Sequence, residues 1–344
     1  MLKIKRVFFA TINLLLLFSF MVFAFGCSNR QQNTPQGQTN DGSWKPESTV
    51  EIVAPANPGG GWDLLARNIQ SVITKEKLVD KPIIVINKPG GGGALGWTYL
   101  KSKKGNGCVL AVNSSLLLLN NILGSSQLSY KDFTPIANLT TEWEVVAVTK
   151  DSPYKTGKEL LNALKTDPGK LSIGVGLTLG NDDHIQFLQI CKAYGVDITK
   201  LNFIVYPGAG GEAITNLLGH HIDLITISMV ETLEQYRAGN LRILGISSPN
   251  RVPELKDVPT WKEQGIDVVF THWRGVMGPP DMTPDQIKYW SDVFAKMVKS
   301  DNWKKLLKNQ GQYDFYMSAN EYTKFLEDQN NKFTTILKEV GLVK

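Results

Sequence analysis

The sequence has few of the residues that most often carry catalysis and metal binding. Its 344 residues include three cysteines and four histidines. It contains no G-x-S-x-G, H-E-x-x-H or C-x-x-C motif, and its cysteines and histidines do not have the spacing of a zinc site. We therefore predict that the protein is not an enzyme and that it has no catalytic residue, no metal site and no cofactor.

The sequence also lacks any strong excess or clustering of charge. Lysine and arginine total 37 against 32 aspartates and glutamates, which gives a formal net charge of +5. No long basic run exists, and basic residues do not alternate with aromatic ones, so we predict that the protein does not bind nucleic acid. A weakly positive surface suits a small anionic ligand.

One long hydrophobic run is present, and it lies at the N-terminus. Lys3, Lys5 and Arg6 precede an apolar stretch over residues 7–26, which is the pattern of a secretory signal. The run is long enough to be an uncleaved membrane anchor. Its end, AFGC, resembles a bacterial lipoprotein processing site, at which the cysteine is acylated. We predict a signal peptide over 1–26, lipidation of Cys27, and an exported protein anchored to the cell membrane on its outer side; plain secretion is a further alternative.

The segment after this cysteine is polar, rich in Gln, Asn, Gly and Pro, and without apolar periodicity. It predicts a flexible tether over residues 27–48. The two remaining cysteines, Cys108 and Cys191, lie in a strand-like and a helix-like apolar run. An exported protein can form a disulfide, but we favour two buried free thiols.

Strand patterns and helix patterns alternate through the rest of the chain, which predicts an α/β protein with largely parallel sheets. Two such series follow one another, over about 50–148 and 149–250, and they indicate two domains. Ligands of such sheets bind beyond the carboxyl ends of the strands. The strand-to-helix loops are therefore the candidate site.

The first of these loops, PANPGGGWD, contains Gly59, Gly60, Gly61, Trp62 and Asp63. Glycines let backbone N–H groups approach a ligand, and a helix N-terminus adds partial positive charge. A nucleotide-binding P-loop needs Lys and Ser or Thr after its glycines, and both are absent here. Asp63 either caps the helix or contacts the ligand.

A second loop, INKPGGGGALG, includes Gly92 and reads as G-x-G-x-x-G after a strand. The acidic residue that a dinucleotide site needs about 20 residues later is missing, because the next strand ends in Asn113 and Ser114. This loop either makes a tight turn for helix packing or adds amides to an anion site.

Three later segments supply the remaining candidates for ligand binding. SIGVGLTLGNDDH is the glycine loop of the second predicted domain, and VYPGAGG is a further strand–glycine–helix junction. FTHWRG contains an arginine that either pairs with a carboxylate or stacks as a structural residue. The candidates are Gly176, Leu177, Thr178, Asn181, His184, Gly208, Gly210, Trp273 and Arg274.

Eight segments carry a resemblance that covers roughly residues 50–340. They are TVEIVAPANPGGGWDLLAR, IIVINKPGGGGALG, YKDFTPIANL, DPGKLSIGVG, VYPGAGGEAITNLLGHHIDL, YRAGNLRILGIS, LKDVPTWKEQGIDV and WRGVMGPPDMTPDQI. In order and spacing they are similar to the periplasmic substrate-binding proteins of tripartite tricarboxylate transporters, the TctC or Bug-like family.

This resemblance implies a periplasmic-binding-protein-like fold with two lobes, each a mainly parallel sheet flanked by helices, and a ligand cleft at the hinge. Lobe 1 comprises 49–148 and 250–344, and lobe 2 comprises 149–249. Members of the family hold a ligand carboxylate between one loop of each lobe, through backbone amides, hydroxyls and ordered water. Here those loops match Pro58 to Asp63 and Gly176 to His184. Trp62 replaces the Thr, Ser or Phe of many members, and residues 177–181 also differ, so both positions bear on ligand identity.

The sequence thus predicts an extracytoplasmic solute-binding protein that captures a small di- or tricarboxylate and delivers it to a membrane permease. Its expected partners are the ligand, the permease subunits and the lipid bilayer, and we expect a monomer. A carboxylate sensor is an alternative. An exported enzyme is a further alternative, for which His184 would be the candidate base.

Overall fold

The alternation of strands and helices predicted from the sequence is present in the structure, a computed structural model. It describes residues 44–176, 178–206 and 209–344. The predicted signal peptide, the lipidation site Cys27, the tether up to residue 43, Leu177 and Gly208 lie outside these ranges. The described residues from Trp44 onward belong to one compact unit.

The secondary structure of the described residues has the following bounds. The strands are β1 (Val50–Ala54), β2 (Ile83–Asn87), β3 (Val109–Ser114), β4 (Thr134–Thr149), β5 (Ser172–Gly176), β6 (Asn202–Tyr206), β7 (Leu224–Ser228), β8 (Leu241–Ile246), β9 (Thr271–Gly278) and β10 (Tyr313–Met317). The α-helices are α1 (Gly61–Lys75), α2 (Ala94–Lys101), α3 (Leu116–Ile122), α4 (Gly157–Thr166), α5 (Asp182–Tyr194), α6 (Ala209–Leu218), α7 (Met229–Arg237), α8 (Pro284–Met297), α9 (Asp301–Asn309) and α10 (Ala319–Glu339). Short 3₁₀ turns connect some of them.

These strands form a mixed sheet with the order β2-β1-β3-β9-β4-β7-β5-β6, and β8 and β10 also pair with β4. The pairs β1–β2, β1–β3, β5–β6 and β5–β7 are parallel, as strand–helix–strand units require. The pairs made by β4 and β9 are antiparallel. The predicted α/β class is confirmed, with an antiparallel centre joining the parallel parts.

The long strand β4 belongs to both parts of this sheet. Its first ten residues, 134–143, pair with β9, and the next part, 144–149, pairs with β7 and β8. The strands before β4 therefore lie on one side of it in the sheet order and β5–β7 on the other. The bounds of the two lobes given above stay a prediction.

Helices cover both faces of each part of the sheet. In one part α1, α8 and α9 share a core on one face, and α2, α3 and α10 share a core on the other. In the second part α6 and α7 pack on one face and α4 and α5 on the other. Because successive residues of a strand point to opposite faces, Val145 and Ala147 enter one core while Val146 and Val148 enter the other.

The first described residue is already part of the packing, because the Trp44 ring lies edge-on against Tyr289 with 5.4 Å between ring centroids. Cys108 and Cys191 are free thiols, as predicted, but only Cys191 is buried; the prediction of burial is wrong for Cys108, which is partly exposed. No helix within the described ranges has both the length and the apolar character to cross a bilayer.

The sheet topology explains why distant segments meet at one place. The carboxyl ends of β1 and β3 approach the middle of β4 from one side. Since β9 runs antiparallel to β3, its beginning lies there too, and Arg274 pairs with Ser114. The strands β5 and β7 run in the opposite direction, and their carboxyl ends approach the middle of β4 from the other side. The middle of β4 reaches the same region, where Glu142 pairs with His272 and Glu144 with Ser228.

Candidate functional site

A cavity of about 230 Å³ lies where these strand ends meet, near the middle of β4. The strand-to-helix loops of both parts of the sheet and the start of β9 contribute to it. It is lined by Ala56, Gly61, Trp62, Ser114, Leu116, Gly176, Asn181, Asp182, Asp183, Gly210, Glu231, His272 and Arg274.

The wall formed by α1 presents free amide groups. The helix begins after its N-cap residue Gly60, and no side chain caps its first turn. The N–H groups of Gly61 and Trp62 therefore have no acceptor within the helix, and the helix dipole adds partial positive charge there. Gly59, with φ of 86°, makes the preceding turn in the left-handed region that favours glycine. This wall can hold an anion.

An arginine of β9 lies beside these amides in a buried ion pair. Arg274 Nη1 is 2.5 Å from Glu142 Oε1, and Ser228 Oγ donates to Glu142 Oε2 at 2.8 Å. A Cβ atom at Gly61 would lie 3.0 Å from Arg274 Nη2, so glycine leaves room for the guanidinium. Burial tends to raise the pKa of Glu142, but the charges of Arg274 and His272 hold it below its ordinary value.

A second pair lies next to the first. His272 Nδ1 is 2.7 Å from Glu144 Oε1, and His272 Nε2 is 3.3 Å from Arg274 Nη2. Burial opposes the charged imidazole, but the charge of Asp182 and the hydrogen bond to Glu144 outweigh it and raise the pKa of His272. Burial raises the pKa of Glu144, despite the opposing effect of His272. The imidazole of His272 therefore keeps its proton more readily than that of a free histidine.

The wall formed by α5 carries carboxylates. Asn181 is the N-cap residue of this helix. Asp183 Oδ2 accepts a hydrogen bond from the Gly176 N–H at 3.0 Å, and Asp182 Oδ2 accepts one from Ser115 Oγ at 2.6 Å. Burial raises the pKa of Asp183 well above its ordinary value.

The wall formed by α6 and α7 adds another carboxylate. Glu231 is exposed to solvent and accepts a hydrogen bond from the Gly210 N–H. A Cβ atom at Gly210 would lie 2.0 Å from Glu231 Oε2, so this contact requires a residue without a side chain. Desolvation in the cleft, and then the charge of Glu142, raise the pKa of Glu231.

Trp62 closes the cavity on the side of α1. Its ring is partly buried and meets Trp97 edge-on, with 5.3 Å between centroids. Trp62 also lines the cavity. The residue therefore contacts the protein core through Trp97 and also borders the space that is open to a ligand.

The structure brings several of the predicted ligand-binding residues to one place. Those that line the cavity are Gly61, Trp62, Ser114, Gly176, Asn181, Gly210 and Arg274. Those that are described but do not line it are Gly59, Gly60, Asp63, Gly92, Asn113, Thr178, His184 and Trp273. Contact with a ligand stays a prediction for every one of them.

Side chains of the second group make contacts within the protein. Asp63 Oδ2 accepts hydrogen bonds from the Gly59 N–H at 2.8 Å and from Arg67 Nε at 2.9 Å. His184 Nδ1 accepts one from the Gly180 N–H at 2.9 Å. Further contacts are the hydrogen bond from Tyr322 Oη to Asn113 Oδ1, the edge-on packing of Trp273 against Tyr322 and Phe325, and the hydrogen bond from Asn87 Nδ2 to Asp63 Oδ1.

The carboxylates at the site were not predicted from the sequence, and neither was His272. A signal was present, because TEWEV and HWR each place two charged or titratable residues at alternate positions of a strand, and hence on one face. The two aspartates in the first turn of α5 are adjacent in the sequence NDDH. The residues concerned are Glu142, Glu144, Asp182, Asp183, Glu231 and His272.

Comparison with known proteins gives one consistent result. The model of the tripartite tricarboxylate transporter family receptors matches residues 65–342. A protein encoded in the gbd 5′ region of Cupriavidus necator is 28% identical over 302 residues, which is 87% of this chain and 89% of that protein.

Two solved structures have the same fold. One is a TctC solute-binding protein from Polaromonas without ligand, with a TM-score of 0.73, 28% identity, and coverage of 86% of this chain and 99% of that one. The other is Rpa4515 of R. palustris with adipate, with a TM-score of 0.72, 21% identity, and coverage of 86% and 98%. At this identity the second supports the fold alone.

Proposed function

The chain belongs to the tripartite tricarboxylate transporter receptor family, and from this premise we propose that it captures a small organic carboxylate and delivers it to a specific membrane permease. Receptors of this family are exported, periplasmic solute-binding proteins and not enzymes. They bind small carboxylates and work with transporter permeases. The proposal concerns which groups of this chain hold the ligand and to what it is delivered.

The observation that carries the proposal is the free first turn of α1 beside Arg274. An unoccupied helix N-terminus is a favourable place for an anion, because its amides and its dipole both attract negative charge. The guanidinium is always charged and offers several donors in one plane. A ligand carboxylate placed between them would gain amide hydrogen bonds and a charge-assisted hydrogen bond at once.

The other walls of the cavity come from α5, α6 and α7, on the far side of β4 in the sheet order. Movement of these walls toward α1 would remove water from the ligand and strengthen its hydrogen bonds. Rpa4515, which shares the fold, was solved with adipate, a dicarboxylate. We therefore propose closure of the cleft on a carboxylate as the capture step.

Titration calorimetry of the purified full-length protein in detergent tests capture. We expect at least one carboxylate from a panel of succinate, malate, adipate and citrate analogues, with and without amino substituents, to bind one-to-one and to be recovered unchanged by mass spectrometry. Arg274→Gln should weaken binding about tenfold or more, because it removes a charged donor. Arg251→Gln is the matched control, since Arg251 pairs with Glu263 at the surface.

Three results would contradict this proposal. They are a chemically altered ligand, no binding by any carboxylate, and equal affinity of Arg274→Gln and the unmodified protein. Loss of affinity in the Arg251 control would show that the arginine effect is general and not local.

We also propose that Cys27 carries the lipid that holds the protein at the membrane, and that the protein acts as a monomer. The lipoprotein pattern at residues 24–27 supports the anchor. Cys27→Ala should leave the protein unprocessed or release it from the membrane fraction. Unchanged processing and anchoring would contradict acylation, and light scattering of the micelle-bound protein checks the monomer.

A further inference from the structure

The chain's own carboxylates occupy amides that the glycine loops offer to a ligand. The Gly176 N–H donates to Asp183 Oδ2 at 3.0 Å, and the Gly210 N–H donates to Glu231. At these two loops the position of a bound anion is therefore already taken. Free amides remain at the first turn of α1, on the opposite wall.

Carboxylates also outnumber cations around the cavity. The cationic side chains of the lining are Arg274 and His272, and each is already paired, with Glu142 and Glu144 respectively. Three further carboxylates line the cavity itself: Asp182, Asp183 and Glu231. A dicarboxylate would add two negative charges to a partly desolvated site with this excess, where like charges repel more strongly than in water.

One of these carboxylates has an acceptor atom without a donor. Asp182 is 4% exposed, and its Oδ2 accepts from Ser115 Oγ. Its Oδ1 is buried and has no hydrogen-bond donor among the described residues. A buried acceptor left unpaired is costly, so a donor supplied by the ligand would be favourable here.

An aromatic side chain lines the same cavity. Trp62 lines it together with Asp182 and Glu231, and its ring meets Trp97 edge-on. The face of an indole ring attracts a cation such as an ammonium group. Carboxylates and a tryptophan in one cavity form the environment that a positively charged nitrogen prefers.

We propose that the ligand carries a positively charged nitrogen as well as a carboxylate, and that the nitrogen lies among Trp62, Asp182 and Glu231. Its carboxylate lies at the first turn of α1 beside Arg274. This inference rests on the proposed function and narrows the ligand class of the same site to amino acids, longer amino-carboxylates and betaines. The nitrogen supplies the missing positive charge, and a primary ammonium also supplies the donor that Asp182 Oδ1 lacks.

Protonation of the site offers a different way to remove the excess charge. Burial raises the pKa of Asp183, and desolvation in the cleft raises the pKa of Glu231. A dicarboxylate could then bind while these groups take up protons. The two cases differ in a measurable way, because proton uptake makes the binding heat depend on the ionisation enthalpy of the buffer.

Isosteric ligand pairs test the charge of the ligand directly. The probes are glycine betaine against 3,3-dimethylbutyrate, 4-aminobutyrate against pentanoate, and glutamate against 2-methylglutarate. Each is titrated into the full-length protein in detergent at pH 7. We expect the charged-nitrogen member of each pair that binds to bind about tenfold tighter or more, because its partner leaves the carboxylates uncompensated.

Two variants locate the nitrogen. Glu231→Gln removes an exposed carboxylate of the lining and should reduce the preference for the charged-nitrogen member severalfold. Glu234→Gln is the matched control, because Glu234 is exposed on the same helix α7 but does not line the cavity. It should keep the preference of the unmodified protein.

The outcomes separate this inference from the proposed function. If the uncharged isosteres or the plain dicarboxylates bind as tightly, or bind with proton uptake, the nitrogen is excluded while carboxylate capture stands. If no carboxylate of either kind binds, both proposals fail. If the preference exists but survives Glu231→Gln, the nitrogen does not lie at this carboxylate and its placement is wrong.

Discussion

At the scale of single residues, the buried pair of Arg274 and Glu142 decides much of the cavity's stability. Arg274→Gln removes the cation that pairs with Glu142, and Glu142 is only 5% exposed. Removing one partner of a buried pair costs about 3 kcal/mol or more, because the other charge stays desolvated. We expect a loss of this size in the free energy of unfolding, measured with urea and without ligand.

The double variant Glu142→Gln/Arg274→Gln is the companion measurement. It removes both charges, so more than half of the lost stability should return. If the double variant is as unstable as the sum of the single ones, the two residues do not act as a pair. The prediction then fails even if Arg274→Gln alone is unstable.

His184 predicts a dependence of stability on pH. Burial lowers the pKa of His184 to about 4 from an ordinary 6.5, and Nδ1 accepts a hydrogen bond that a proton would break. The unfolded chain therefore binds a proton at higher pH than the folded chain. Stability is fully present above pH 6.5 and is lost as the pH falls toward 4, by about 1–2 kcal/mol between pH 7 and pH 5.

Replacement of this histidine isolates its contribution. His184→Asn keeps a hydrogen-bond acceptor but cannot be protonated, so its unfolding free energy should change less over the same pH range. His221→Asn, at an exposed position, should keep the slope of the unmodified protein. Equal slopes for His184→Asn and the unmodified protein would show that His184 is not the titrating group.

The residues missed by sequence analysis share a physical cause. Glu142 and Glu144 alternate with buried apolar neighbours on β4, a pattern that elsewhere indicates a strand with one face in water. They are buried in ion pairs with His272 and Arg274 of β9, and the pairing of β4 with β9 joins segments about 130 residues apart. A local sequence pattern indicates on which face of a strand a side chain lies, but not which residue will contact it.

At the scale of elements, two adjacent glycines at the start of α6 should respond in opposite ways to substitution by alanine. A Cβ at Gly210 would lie 2.0 Å from Glu231 Oε2 and 2.2 Å from Ile227 Cδ1, whereas a Cβ at Gly211 would meet nothing within 4 Å. Gly210→Ala must displace Glu231 and a core isoleucine, so we expect a loss of about 1 kcal/mol or more. Gly211→Ala should stabilise the helix by about 0.5–1 kcal/mol.

Thermal and urea unfolding of the two variants check this contrast within a single helix turn. Ligand binding adds a second reading, because displacement of Glu231 should change affinity in Gly210→Ala but not in Gly211→Ala. Equal stability of the two variants would mean that α6 moves freely enough to absorb the added methyl group, and the tight contact would then have no energetic role.

Elements with a strong local signal were predicted well, and those that depend on distant partners were not. The glycine loops and the helices after them follow from turn chemistry and helical periodicity, both of which are local. β10, with the sequence YDFYM, carries no clear alternation and is a strand because it pairs with β4. The position of β9 between β3 and β4 is likewise a property of the sheet and not of its own eight residues.

At the scale of the whole molecule, β4 links the two parts of the sheet and should couple their unfolding. Its 16 residues pair with β9 and β10 at one end and with β7 and β8 at the other. Fourteen of these residues, 136–149, are buried. Unfolding one part would expose the middle of this strand and the ion pairs of Glu142 and Glu144, so neither part is independent of the other.

Scanning calorimetry measures this coupling. We expect one transition with equal calorimetric and van't Hoff enthalpies, of about 200 kcal/mol for about 300 folded residues. A ligand that contacts both walls of the cavity, as proposed, should raise the midpoint without splitting the transition. At a ligand concentration of a hundred times Kd, the added stability is about 2.7 kcal/mol. The contrary result is two separate transitions, only one of which is shifted by the ligand. It would mean that β4 stays folded with one part of the sheet after the strands of the other part have unfolded. The cavity would then be a property of one part of the sheet and not of their junction.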